Sequence, residues 1–392
     1  MKGLCILGST GSVGRNSLRV VKSQPQKFRV VSLAAGKNLD LVAEQVQDFH
    51  PQLVSVSTAD CLEALRQRLR SRGYERPLRL VAETAGQIEA ATLPEVDIVV
   101  SSAHGVTALR ATYEAVRAGK RIGLANKETL VVAGEMVMRA AHEKGVEVLP
   151  IDSEHSAVHQ CLRAGRPREV RRIILTGSGG PLRKTPAEDF NSVTPEQALS
   201  HPVWKMGSRI TIDSSTLMNK GLEIIEAHWL FGLAPAQIDV LIHPESIVHS
   251  MIEFEDGTLM AQLSVADMRL PIQYALTYPE RVALNEESLR LDLVAVGRLH
   301  FERPDTARFP CLGLARGALE QGGGMSCALN AADEIAVEAF LARRLRFSGI
   351  PRVIERVMSK TPKVQFRSIE DVLECDAEAR QRARELVADL SE

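Results

Sequence analysis

The chain has 392 residues, of which 45% are hydrophobic and 25% charged, with a formal net charge of −1. A length of this order exceeds one hydrophobic core and predicts roughly two to three domains. The near-zero charge excludes a global basic field for nucleic acid or an anionic membrane, and no apolar run approaches the ~18 residues of a membrane span. Cys5, Cys61, Cys161, Cys311, Cys327 and Cys375 are scattered without a C-x-x-C pair, so buried free thiols in a reducing cytosol are expected. The N-terminus is expected to enter a strand at once, without a signal or transit segment, and the protein to be cytoplasmic.

Lys2–Leu7 reads as an apolar strand. It runs into Gly8-Ser9-Thr10-Gly11-Ser12-Val13-Gly14 and then a helical pattern through Val21. Strand, glycine turn and helix N-terminus form a dinucleotide-binding arrangement, in which the backbone approaches a pyrophosphate and the leading N–H groups of the helix face it. The spacing is G-x-x-G-x-x-G rather than the commoner G-x-G-x-x-G, and a plain glycine turn is the bland alternative. The second strand, Phe28–Ala34, ends in Ala35-Gly36-Lys37-Asn38. An NAD-specific fold places an acid here for the ribose 2′-hydroxyl; Lys37 instead favours a 2′-phosphate, hence NADP, unless it is only a solvated loop residue. Strands at Leu53–Val56, 78–81, 97–101 and 121–125 alternate with helical segments at Leu39–Phe49, 59–69 and 106–118. The fold class is α/β, opening with a Rossmann-type doubly wound parallel sheet whose ligands lie outside the carboxyl ends of the strands.

Asn126-Lys127-Glu128 stands at one such strand end. A further apolar strand, 146–149, leads to Asp152-Ser153-Glu154-His155 at the next. In extended backbone Asp152 and Glu154 face the same side, and two converging carboxylates need a cation, for which a hard divalent ion is the natural partner. Lys127 near these acids is either a structural ion pair or functional. His155 and His159 are i, i+4, which is also zinc spacing, but no H-E-x-x-H or cysteine set supports zinc. The strand at 172–175 ends in Thr176-Gly177-Ser178-Gly179-Gly180-Pro181, an anion cradle or merely a turn. Residues 185–207 read as a long irregular stretch holding His201 and Trp204, hence a mobile lid; the alternative is that Trp204 anchors the loop. Asp213, Ser214 and Ser215 are expected to cap a helix whose first turns bear Asn219 and Lys220, a phosphate site. Glu223 follows as a third metal ligand, with Glu226 as its rival. Residues 241–254 and 258–264 read as a hairpin about Asp256-Gly257, forming scaffold and a dimer surface, with His243 and His249 structural. The stretch 278–303 reads as a linker. Helical patterns at 312–321, 327–345, 350–358 and Ile369–Leu390 form a small bundle to which no chemistry is assigned.

Together and in order, Gly8–Gly14, Ala125–Glu128, Asp152–His155, Thr176–Pro181 and Met218–Glu223 resemble the 1-deoxy-D-xylulose-5-phosphate reductoisomerase family over essentially the full chain. The resemblance implies rearrangement of 1-deoxy-D-xylulose 5-phosphate by retro-aldol cleavage and re-addition. Reduction by NADPH then gives 2-C-methyl-D-erythritol 4-phosphate, the committed step of non-mevalonate isoprenoid synthesis. It implies that Asp152, Glu154 and Glu223 bind Mg²⁺ or Mn²⁺, with Co²⁺ also accepted. Lys127, Asp152, Glu154, His201 and Glu223 would be catalytic. Lys127, Ser153, Glu154, Ser178, His201, Trp204, Met206, Ser214, Asn219, Lys220 and Glu223 would contact the substrate. Thr10, Gly11, Ser12, Val13, Gly36, Lys37, Asn38, Asn126, Glu128 and Gly207 would bind NADPH. The implied organisation is an NADPH-binding domain over 1–150, an α+β catalytic domain with a lid loop over 151–277, a linker over 278–303 and a helical domain over 304–392, assembled as a homodimer. One departure is Ser102-Ala103-His104-Gly105, where the family commonly has Gly-Ala-Ala-Gly beside the cofactor. The residues alone leave two rivals: a metal-dependent NADP dehydrogenase of an α-hydroxy acid, and a non-catalytic NADP(H) sensor.

Overall fold

The computed structural model describes residues 1–201, 203–204, 207–283 and 286–390. The chain forms two compact units. The first comprises Met1–Thr129, Glu135–Ser156 and Asp267–Leu289. In it β1 (Lys2–Leu7), α1 (Ser12–Ser23), β2 (Phe28–Ala34), α2 (Leu39–Phe49), β3 (Leu53–Val56), α3 (Ala59–Ser71) and β4 (Arg79–Ala82) alternate regularly. They are followed by α4 (Glu83–Thr92), β5 (Ile98–Ser101), α5 (Leu109–Arg117), β6 (Arg121–Leu124), α6 (Glu128–Lys144) and β7 (Val148–Pro150). The strands are short, apolar and buried on both faces, as a parallel sheet covered by helices requires. Their order is β4-β3-β2-β1-β5-β6-β7, and all pairings are parallel. The order reverses between β1 and β5, which puts the ligand crevice outside their carboxyl ends, at the glycine turn and at Ser102.

α7 (Ser153–Cys161) starts in the first unit and ends in the second, which comprises Leu130–Gly134, Ala157–Ala266 and Arg290–Glu392. Next come β8 (Val170–Gly177), α8 (Pro195–Leu199), α9 (Ser208–Thr216), α10 (Met218–Phe231), β9 (Ile238–Ile242), β10 (Val248–Phe254) and β11 (Leu259–Leu263). The last helices are α11 (Arg269–Thr277), which belongs to the first unit, and α12 (Leu293–Val296), α13 (Cys311–Gln321), α14 (Met325–Leu341), α15 (Gly349–Ser359) and α16 (Ile369–Leu390). The second sheet has the order β11-β10-β8-β9, with β8 and β9 parallel and the other pairs antiparallel. A continuous core joins this sheet to α10, α13, α14, α15 and α16. α6 breaks at Ala133 (φ −137°), beside Gly134, where a Cβ would lie 2.2 Å from the ring of Trp229. Only glycine lets the indole pack there. The expected long irregular stretch at 185–207 is partly ordered by a 3₁₀ turn at Ala187–Asn191 and by α8, whose start carries a reciprocal cap between Thr194 and Gln197.

Candidate active site

In the first unit the turn after β1 is compressed. Gly8 has φ +85°, and a Cβ on Gly14 would come 2.3 Å from the Gly8 carbonyl oxygen and 2.6 Å from Ser9 Cα. α1 opens at Gly11 with no side-chain cap and no acid in its first turn, so its leading N–H groups and positive end suit an anion. Thr10, Gly11, Ser12 and Val13 form this turn, and all are at least partly exposed. Gly36, Lys37 and Asn38 are exposed beyond β2, and Asn38 also caps α2 by accepting from Leu41 N. These residues fit a dinucleotide, and Lys37, standing at the end of β2 where an acid would hold a ribose 2′-hydroxyl, fits one bearing a 2′-phosphate.

Asn126 is buried, and its amide donates to the carbonyls of Ala103 and Gly105, while its oxygen accepts from Thr129 N at 2.9 Å and Thr129 Oγ1 at 2.7 Å. It thereby ties the Ser102–Gly105 loop to the start of α6. A Cβ on Gly8 would meet Ser102 O and Ala103 N at 2.7 Å, so the same loop also backs the glycine turn. Glu128 is half-buried at the first position of α6.

The acids after β7 do not meet in extended backbone as their spacing suggests. Glu154 lies in the first turn of α7, and Asp152 caps that turn: Glu154 N donates to Asp152 Oδ1 at 3.2 Å and Ser156 N to its carbonyl at 2.8 Å. An aspartate ahead of a helix satisfies leading N–H groups, and this stops the strand and starts the helix. Lys127 Nζ sits 2.6 Å from Asp152 Oδ2, with both side chains nearly buried. His155 Nδ1 lies 3.5 Å from Asp152 Oδ1, and Ser153 Oγ donates to Glu154 Oε2.

In the second unit, Ser178, His201, Ser214, Asn219, Lys220 and Glu223 fall on neighbouring elements. Ser178 Oγ is 2.9 Å from His201 Nε2 and accepts from Gly180 N at 3.1 Å. His201 Nδ1 accepts from Trp204 N at 2.9 Å and Val203 N at 3.2 Å. A ring nitrogen that accepts carries no proton, so Nε2 carries it and donates to Ser178; burial lowers the His201 pKa in the same sense. The glycines of this turn admit close neighbours. A Cβ on Gly177 would meet Lys220 Cε at 2.8 Å, and one on Gly180 would meet Ser214 O at 2.5 Å. Asp213, Ser214 and Ser215 are not helix caps. α9 already covers them, and the break comes at Leu217, whose left-handed backbone (φ +61°) separates α9 from α10. Asn219, Lys220 and Glu223 then occupy the first turns of α10, where Lys220 Nζ and Asn219 Nδ2 each lie 2.5 Å from Glu223 oxygens. Glu223 and Glu226 are 1% and 0% exposed. A buried carboxylate held by a lysine and an amide is a hard oxygen donor that fits a divalent cation. Half-buried Trp204 stands with its ring 6.3 Å from that of His249. Gly207 is exposed at the start of α9, and Met206 lies outside the described residues, as do Pro202 and Lys205.

Three family models match the chain in succession. "1-deoxy-D-xylulose 5-phosphate reductoisomerase" matches residues 4–134, its "C-terminal domain" 148–231, and "DXP reductoisomerase C-terminal domain" 263–382. A protein of that name from Solibacter usitatus is 50% identical over 388 residues, covering 98% of this chain and 97% of the relative. One from Geobacillus sp. is 48% identical over 387 residues, covering 99% of this chain and 100% of the relative. The chain belongs to the 1-deoxy-D-xylulose 5-phosphate reductoisomerase family. Among solved structures, the Zymomonas mobilis reductoisomerase in complex with NADPH superposes with a TM-score of 0.91 at 36% identity, covering 98% of this chain and 99% of that one. A reductoisomerase in complex with NADPH, fosmidomycin and magnesium gives 0.92 at 37% identity, covering 99% and 98%.

Within this reductoisomerase fold, sequence reasoning named Asn126 only as a cofactor contact and Thr176 only as part of a turn, and it missed Arg209 altogether, so what fixes the site from behind was not read. Asn126 holds the Ser102–Gly105 loop, Thr176 Oγ1 binds the Val248 and His249 carbonyls, and Arg209 on α9 is paired to α14. The polar residues of α14 offered one signal: Asn330 and Asp333 fall among the apolar residues that make up the rest of its buried positions.

Proposed function

We propose that this protein converts 1-deoxy-D-xylulose 5-phosphate to 2-C-methyl-D-erythritol 4-phosphate with NADPH and a divalent cation, in non-mevalonate isoprenoid precursor synthesis. The observation that carries this reading is on α10 and its neighbours. A set of groups suited to a phosphate dianion (Ser178, His201, Ser214, Asn219 and Lys220) directly abuts a buried carboxylate, Glu223. A simple hydroxy-acid dehydrogenase or an NADP(H) sensor needs no such set. The cation would be held by Asp152, Glu154 and Glu223, carboxylates without thiolates, which suits Mg²⁺, Mn²⁺ or Co²⁺. When bound, the cation polarises the substrate carbonyl and steadies negative charge on its oxygens, and NADPH supplies the hydride.

The chain's own groups account for the rest. Lys127, now paired with Asp152, holds a substrate oxygen and moves a proton to or from it. Ser153 orients the substrate's hydroxyls. Neutral His201 donates from Nε2 to the phosphate that Ser178, Ser214, Asn219 and Lys220 bind, and a lysine beside that dianion supplies the compensating charge. Trp204 and Met206 cover the substrate and exclude water, so that negative charge developing on it meets fixed donors rather than solvent. The glycine turn (Thr10–Val13), Gly36, Lys37, Asn38, Asn126, Glu128 and Gly207 seat NADPH.

The reading extends to a cytoplasmic homodimer. β11 is an edge strand with exposed Leu259 and Met260, which suits it to pairing with a second copy; light scattering after gel filtration tests this. Among the described residues no helix is long and apolar enough to cross a membrane. Turnover is tested by following NADPH oxidation, which should require 1-deoxy-D-xylulose 5-phosphate and a divalent cation together. Oxidation that persists after chelation would overturn the metal assignment.

A further inference from the structure

α14 is packed on nearly all sides, yet it carries Asn330 and Asp333, both fully buried, and Glu334. Charged groups in such surroundings need partners. Their common partner is Arg209 on the first turn of α9. Its Nη1 lies 2.5 Å from Glu334 Oε1, and its Nη2 is 2.9 Å from Asn330 Oδ1 and 3.4 Å from Asp333 Oδ2. Its Nε lies 3.6 Å from Asp213 Oδ2 on the same helix. The second oxygen of Glu334 takes Arg380 Nη2 on α16 at 2.5 Å, and Arg380 Nε is 2.6 Å from Asp376 Oδ2. A continuous line of charge therefore runs from α9 through Glu334 to α16.

α9 is the helix whose placement the phosphate site depends on most. It carries Ser214 five residues beyond Arg209. Its C-terminal end is pressed on the glycine turn that bears Ser178, where a Cβ on Gly180 would come 2.5 Å from Ser214 O. Its end at Leu217 launches α10 with Asn219 and Lys220. A small displacement of α9 would change the separation of the Ser178 and Ser214 hydroxyls and the approach of Lys220 to both.

We propose that Arg209 and Glu334 are positioning residues for the substrate's phosphate. They hold α9 in register against the Ser178 turn, and so govern affinity for the phosphate group rather than the chemical step. The proposal rests on the phosphate-site reading given above. Neither residue is among those assigned to contact the substrate. The planar guanidinium is required because its several donors meet Glu334, Asn330 and Asp333 at once, which a lysine ammonium cannot reproduce.

The test compares Glu334→Gln, Arg209→Lys and Arg380→Gln with the native enzyme. Five quantities are measured: KM for 1-deoxy-D-xylulose 5-phosphate, KM for NADPH, kcat, inhibition by inorganic phosphate, and the melting midpoint. Glu334→Gln and Arg209→Lys should raise the substrate KM about tenfold and weaken inorganic phosphate inhibition by a similar factor, as expected when the groups supporting a binding residue are lost. The NADPH KM and kcat should stay within about twofold, since neither variant alters a group touching cofactor or reacting atoms. Arg380→Gln, which loosens the same line of charge away from α9, should lower the melting midpoint without moving the substrate KM. If Glu334→Gln and Arg209→Lys lower the melting midpoint yet leave substrate KM and phosphate inhibition unchanged, the network is structural only and the proposal is overturned. A native enzyme that neither turns over the substrate nor responds to inorganic phosphate overturns the functional reading itself, and the positioning role with it.

Discussion

Glu223 is the carboxylate on which the account depends most, and its replacement by glutamine gives a two-part result. The side chain is 1% exposed and meets Lys220 Nζ and Asn219 Nδ2, each at 2.5 Å. Glu223→Gln keeps the shape but removes the buried carboxylate charge that Lys220 Nζ meets, a loss of about 3–5 kcal/mol. At roughly 2–4 °C per kcal/mol for a unit of this size, the apo midpoint should fall by about 6–20 °C. Losing a ligand charge should also weaken Mn²⁺ binding by at least about 100-fold, more than the ~10–100-fold typical of outer groups. Lys220→Met separates the two effects. Lys220 competes with the cation for Glu223, so its removal should leave Mn²⁺ binding as tight as native or tighter, while phosphate affinity collapses. Calorimetric titration of Mn²⁺ into the native protein and the Glu223→Gln, Lys220→Met and Glu226→Gln variants, beside thermal melts, decides the matter. Native Mn²⁺ affinity in Glu223→Gln, or a loss that appears instead in Glu226→Gln, would refute the ligand assignment.

Gly14→Ala should lower NADPH affinity at least about tenfold and cost about 1–3 kcal/mol of stability, because the new Cβ meets backbone 2.3 Å away at Gly8 rather than a movable side chain. Fluorescence titration with NADPH checks it, and native affinity would contradict the cradle. Lys37→Ala should raise the KM for NADPH about tenfold, the worth of one charge-assisted hydrogen bond, with the NADH rate unchanged. An unaltered preference between the two cofactors would refute the 2′-phosphate assignment. Burial pushes the Asp333 carboxyl from 3.8 up to about 6, against the pull of Arg209. The folded chain thus holds a proton at Asp333 that the unfolded chain releases, so this group's contribution to stability falls as pH rises from about 4 to about 6 and is level above that. Asp333→Asn removes the dependence, and its stability relative to native should climb across that interval by about 3 kcal/mol. Melts at a series of pH values check this, and a difference that is flat with pH would contradict it.

What the sequence made legible was local. The strand, glycine turn and helix at Lys2–Ser23 follow from apolar pattern and glycine spacing, and the acids at 152 and 154 announce themselves by proximity. The parallel sheet follows from alternating elements. What stayed hidden depends on backbone choices or partners without a local signature. Leu217 adopts a left-handed conformation that leucine rarely takes, so the end of α9 and start of α10 could not be placed, and Asp213–Ser215 looked like caps. Asp152 and Glu154 read as extended because the strand pattern runs up to them; the aspartate's preference for capping starts α7 instead. Arg209 and Glu334 lie 125 residues apart, and nothing in either neighbourhood specifies the other. The helices at the C-terminus were readable as helices, and Asn330 and Asp333 mark α14 as unusual, but nothing local names α9 as the element whose charge they meet.

Nuclear magnetic resonance of the product formed from ¹³C-labelled 1-deoxy-D-xylulose 5-phosphate tests the central claim most directly. With NADPH and Mg²⁺ the account predicts a branched carbon skeleton, 2-C-methyl-D-erythritol 4-phosphate, appearing one-for-one with NADPH consumed. A reduced sugar phosphate with its unbranched skeleton intact would contradict it.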